Sequence, residues 1–177
     1  MPDNHRSDAD ELWRFALAFY AQPEIERVCL ALQDEQGVDV VLLIGLMWLA
    51  ARDGRAAGDA DIARLDDAIA GWRDTVVRPL RDLRRSLKAR LADLPARAAE
   101  TRNNIKAAEL SAERVAVDLL AAAIAGLPEA GAVEERRFAA QRSVEGYLGW
   151  LGRAPTPDLR AATAIFLDGL SGMAVSG

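Results

Sequence analysis

The run from Val38 to Leu49, VDVVLLIGLMWL, restricts what this chain can fold into more than any other stretch. After Asp39 it is apolar on every side, and a helix apolar all round must be enclosed by other structure. A strand is the competing reading, but the length of the run and its continuation through Ala50 and Ala51 favour a helix. Asp39 is expected to cap it, Gly45 to admit a close neighbour, and Gly54 to close it in the left-handed conformation. The longest uninterrupted apolar segment, Val40 to Ala51, has 12 residues and is too short to span a bilayer.

A central helix needs partners, and the composition supplies them. Hydrophobic residues make up 51% of 177, and alanine, leucine and arginine outnumber β-branched residues. That size and balance fit a single core built from helices. Leu12, Trp13, Ala16, Leu17 and Tyr20 recur at helical spacing, so a first helix is expected from about Ala9 to Ala21, capped by Ser7 or Asp8. Pro23 fits the first position of a second helix, which Gly37 ends. A further pattern starts at Asp59 or Asp61 and runs toward Leu91. Pro79 interrupts it and forces either a kink or a break, two topologies that remain open at this point.

Leu94-Pro95 marks the next corner. A long helix from about Ala96 to Ala125 follows, stopped by Gly126-Leu127-Pro128. Glu134 to Leu151 and a segment opened by Thr156-Pro157 complete the set. The expected fold is all-α, a compact bundle of about six to eight helices, with residues 7–170 as a single helical domain. Residues 1–6, which include the only histidine, His5, and residues 171–177 are expected to be mobile.

Cys29 is the sole cysteine and lies on an apolar helical pattern, so it reads as a packed thiol with no intrachain disulfide partner. The amino-terminal sequence MPDNHRSDADELW carries acids where a secretion signal would carry a basic and then an apolar region. No membrane association is expected, and the expected location is cytoplasmic.

Charge is distributed unevenly beneath a net value of -5. Asp8 to Asp39 holds eight acids and two arginines, whereas Arg73 to Arg90 holds six arginines, one lysine and two aspartates. Arg81 and Arg85 are four residues apart and share a helix face, while Arg78 and Arg81 can flank one groove. Lys106, Glu109 and Glu113 align along one side of the long helix. The candidate anion- or partner-binding residues are therefore Arg78, Arg81, Arg84, Arg85 and Lys88, with Asp34, Asp39, Lys106, Glu109 and Glu113 as a supporting charge network. One reading has Asp34 or Asp39 pairing with the basic helix, since a guanidinium fork holds a carboxylate on two bonds. The other is an anion pocket built from Arg81, Arg84 and Arg85.

Motifs for chemistry are missing from the sequence. It has no Glu-x-x-His pair, DDxxD, CxxC, GxSxG or GxxxxGK[ST]. A non-enzyme is favoured, with catalysis left undecided, and neither metal nor cofactor is expected. Trp13, Trp48 and Trp72 follow apolar helical patterns and read as core residues, so a nucleic-acid partner is disfavoured. Tyr147, Trp150 and Leu151 form a second aromatic group, next to Gly146, Gly149 and Gly152, that would suit packing or a homodimer contact.

The blocks ELWRFALAFY, LQDEQGVDVVLLIGLMWLA, Trp72 with VVRPLRDLRR, and IKAAELSAER occur in that order between Glu11 and Leu120. Together they resemble a family of small, mostly helical proteobacterial proteins of unknown function. The resemblance implies a bacterial cytoplasmic setting and supplies no activity or cofactor. The expected function is that of a non-catalytic adaptor, regulator or assembly factor whose basic helical face accepts an acidic segment of a protein partner. Binding or conversion of a small phosphorylated or otherwise anionic ligand is the alternative.

Overall fold

A computed structural model describes residues 3–128 and 133–173, with side chains from residue 8 onward. All regular structure in them is helical: α1 (Asp3–Tyr20), α2 (Pro23–Gln36), α3 (Val40–Asp53), α4 (Asp59–Trp72), α5 (Arg78–Arg90), α6 (Arg97–Ala125), α7 (Arg136–Trp150) and α8 (Pro157–Ser171). A π turn over Arg73–Val77 joins α4 to α5 without leaving the helical conformation, so the eight segments form seven rods in an all-α bundle.

The apolar run forms the central helix, and every residue from Leu42 to Ala51 is buried. Asp39 caps it by accepting a 3.0 Å hydrogen bond from the Leu42 amide, and Gly54 closes it at φ 61°. α1, α6 and α7 pack directly around α3. At Gly45, a side chain would collide with Leu120 of α6, so the missing Cβ is what permits that approach. α7 is tied to the start of α3 through the buried Tyr147, whose hydroxyl accepts a 3.0 Å hydrogen bond from the Asp39 amide.

α1 starts at Asp3, upstream of the expected Ala9, because no proline or glycine interrupts the chain between Asp3 and Tyr20. Ser7 and Asp8 consequently lie inside the helix instead of capping it. At the other end Ser171 closes α8 and Met173 packs against the core. Residues 1, 2 and 174–177, on which the expectation of mobile ends also falls, are outside the described residues. Cys29 is fully buried, and burial pushes its thiol up to about 12.

Pro79 does not break the rod: α4, the π turn and α5 follow one another without leaving the helical conformation. A proline donates no amide and crowds the carbonyl four residues back. The wider turn just before it absorbs both effects: the Arg78 amide donates to the Arg73 carbonyl five residues back. Thr75 uses its hydroxyl to reach the Gly71 carbonyl at 2.6 Å.

Between Arg78 and Ala108 no residue is buried; in α6 burial begins at Glu109. α5 and the first part of α6 therefore pack on each other as a hairpin that extends beyond the core, turning through a short 3-10 segment at Leu91–Asp93. No helix among the described residues is long and apolar enough to cross a membrane.

Candidate functional site

At the base of the hairpin, the arginines of the α4–α5 rod meet the carboxylates of α2, α3 and α6. Glu109 lies on the inner face of α6 and is buried. It accepts from Arg81 Nε at 3.0 Å and from Arg84 Nη2 at 3.1 Å, with a second contact from Arg84 Nε. Arg81 also donates to Glu113, one turn further along α6, at 2.6 Å. Burial alone would raise the Glu109 pKa, but the two guanidinium groups outweigh it and hold the carboxyl below its ordinary value. Glu113 has one arginine, and there burial wins and raises the carboxyl.

A second group lies at the π turn. Arg73 reaches Asp39 Oδ2 at 3.4 Å and also pairs with Asp66, two turns earlier on α4, and with Asp74. Asp39 thereby caps α3, anchors Arg73 and presents its amide to Tyr147. Arg78 pairs with Asp74, and Arg85 with Asp34, both on the surface. Five arginines thus meet six carboxylates: Asp34, Asp39, Asp66, Asp74, Glu109 and Glu113.

The structure therefore brings Arg78, Arg81, Arg84 and Arg85 together with Asp34, Asp39, Glu109 and Glu113, but sorts them into pairs. Lys88 and Lys106 are exposed and belong to none of the ion pairs found among the described residues. Three members of the network, Asp66, Arg73 and Asp74, were missed in the sequence. Asp66 and Arg73 are seven residues apart, so the helical repeat puts them on one face, and that spacing was the available signal. The reach of Arg73 to Asp39 had none, because it depends on how α4 lies against α3.

Beside the cluster a cleft of about 380 Å³ opens between α1, α2, the start of α3, α5 and α6. Leu12, Trp13, Ala16, Val40, Ile44 and Val117 contribute its apolar wall, and Arg81, Arg84, Glu109 and Glu113 the polar one. Leu17, Leu30 and Leu110 stand at its surface with 41 to 50% of their area exposed. Arg81 also borders a smaller neighbouring cleft of about 210 Å³, which reaches Asp39 and Arg73. Burial and the nearby Cys29, Glu26 and Glu113 push the Tyr20 hydroxyl up to about 12.

The tryptophans divide between core and surface. Trp48 is wholly buried, with the Arg52 guanidinium 4.1 Å from its ring centroid. Trp13 and Trp72 are half-buried, which corrects the expectation that all three are core residues. Trp72 donates through Nε1 to the Ala112 carbonyl at 2.8 Å, and Trp13 packs against the core beneath the Arg114 guanidinium. In the carboxyl-terminal aromatic group Tyr147 is core, while Trp150 is 39% exposed. Among the described residues no group of three or more His, Cys, Asp or Glu side chains is placed to hold a metal ion.

Residues 11–120 match the model of one family, described as protein of unknown function (DUF2390). The match takes in every residue lining the larger cleft and stops before α7 and α8. Neither a curated protein nor a solved structure matches.

Proposed function

The chain belongs to the DUF2390 family, and from that premise and its geometry we propose that it is a non-catalytic adaptor or regulator whose basic hairpin docks an acidic segment of a protein partner. The observation that carries this is charge segregation on a projecting element. Residues 78–108 hold nine cationic and three acidic side chains in a chain of net charge -5. The same stretch has no buried residue. A positive arm on a negative body favours an acidic partner and sets the orientation of approach.

The hairpin divides into two parts with different work. Near the body, Arg81 and Arg84 are committed to Glu109 and Glu113 and hold the arm in place. Farther out, Lys88, Arg90 and Arg97 are exposed, and Arg102 and Lys106 follow on α6. None of the five is in an ion pair among the described residues. Arg102 is half-buried with its Nε shielded and Lys106 borders the cleft at the base, so Lys88, Arg90 and Arg97 are the charges most open to a partner. Leu83, 49% exposed on the outer face of α5, adds an apolar contact.

The test is fluorescence anisotropy of a labelled octaglutamate peptide at low salt. The wild type should bind, with affinity falling as salt rises. Reversal of Lys88, Arg90 and Arg97 to Glu should abolish binding and leave the melting temperature unchanged, because those side chains hold nothing in the fold. Binding that survives the triple reversal would remove the hairpin from consideration.

A further inference from the structure

The cleft at the base of the hairpin carries a second, independent assignment. Its volume and its mainly apolar wall fall within the range of small-ligand sites. Exposed Leu17, Leu30 and Leu110 come from three different helices and converge on its mouth. Such convergence of exposed apolar side chains on a concavity marks a place that gains from being covered.

Charge then narrows the occupant. Three acids, Glu26, Glu109 and Glu113, and three bases, Arg81, Arg84 and Lys106, line the cleft. Arg81 and Arg84 already spend their forks on Glu109 and Glu113. Glu26 and Lys106 are in no ion pair among the described residues, but both are exposed to water, where a new pairing contributes little, and being of opposite sign they favour neither charge of ligand. A ligand with a fixed negative charge would compete with those carboxylates for the arginines, and one with a fixed positive charge would compete with the arginines for the carboxylates. Either entry would leave a partly buried charge without its partner, which costs more than the new contact returns.

Hydrogen-bonding capacity without net charge is left over. Glu113 uses one carboxylate oxygen on Arg81, and its Oε2 has no protein partner among the described residues. The Tyr20 hydroxyl and the Gln33 amide, both lining the cleft, make no hydrogen bond to the protein among the described residues. These three groups can satisfy a hydroxyl, amide or ring N–H on a ligand.

We propose that this cleft binds a small uncharged amphipathic molecule. Its apolar body lies against Trp13, Leu17, Leu30 and Leu110, and its hydrogen-bonding head faces Tyr20 and Glu113. The assignment does not rest on the hairpin reading, because it uses none of Lys88, Arg90 and Arg97.

The experiment is a titration of the full chain with N-phenyl-1-naphthylamine, an uncharged probe with one N–H that brightens in apolar surroundings. A sulfonated anilinonaphthalene and a naphthylmethylammonium salt serve as its charged counterparts. The expected result is saturable one-to-one binding of the neutral probe, with both charged probes weaker by about tenfold or more. Ala16→Trp, which fills the cleft, should abolish the signal. Leu110→Glu, on the exposed rim and outside the core, should weaken it even if the filled variant does not fold. Reversal of Lys88, Arg90 and Arg97 should leave it untouched, which separates failure of this assignment from failure of the hairpin reading. Equal or tighter binding of a charged probe, absence of saturation, or a signal indifferent to Leu110→Glu in a folded protein would overturn the proposal.

Discussion

Glu109 and Glu113 stand one turn apart on the same helix face, yet their surroundings push them in opposite directions. Glu109, between two guanidinium groups, is lowered; its contribution to stability is present above the ordinary carboxylate pKa and is lost as pH falls through its folded value. Glu113 is raised, so the folded state favours its protonated form; that contribution is present below the ordinary pKa and lost as pH rises through the folded value. Glu109→Gln should therefore cost about 3 kcal/mol at neutral pH, as expected when one member of a buried ion pair is removed, read from urea unfolding. Glu113→Gln should leave neutral-pH stability equal or higher and should flatten the decline of stability just above the ordinary carboxylate range. A loss for Glu113→Gln as large as that for Glu109→Gln would show that the two carboxylates do the same work. Sequence spacing put both on one side of α6 but could not rank them. The ranking depends on how many arginines reach each across the hairpin, which is a matter of register between α5 and α6.

Individual elements were easiest to read where local chemistry decides them. Asp39, Gly37, Gly54, Pro23 and the Thr156-Pro157 pair all mark helix ends where expected, because caps and left-handed turns depend on a few adjacent residues. Asp39→Ala should lower stability by about 1 to 2 kcal/mol through the lost cap. Asp39→Asn should recover most of that, since an amide oxygen can still accept from Leu42, and thermal melts of the two variants separate the cap from the charge that Arg73 meets. Pro79 was harder to read. The proline announces a disturbance, but whether the rod breaks or widens depends on packing. Here α6 runs alongside both halves, and Trp72 fixes the junction to the Ala112 carbonyl. Trp72→Phe keeps the ring and removes that hydrogen bond, so it should cost about 1 kcal/mol in the same assay.

Across the whole molecule, the apolar run made the enclosed α3 legible, because a helix without a polar face has one place to go. The resemblance between Glu11 and Leu120 coincides with the segment that places the chain in its family. What the sequence concealed was the use of its basic segment. Arginines counted along the chain suggested one continuous face; in three dimensions the carboxylates of α2, α3 and α6 engage its inner half and leave the outer half open. That division is the central claim, and two-dimensional amide NMR of the labelled protein during titration with octaglutamate tests it most directly. The predicted result is shifts at Lys88, Arg90, Arg97 and Arg102 that saturate together and fade with salt, while Arg81, Arg84 and Glu109 stay in place. Saturating shifts centred on Arg81, Arg84 and Glu109, with the outer hairpin unmoved, would contradict it.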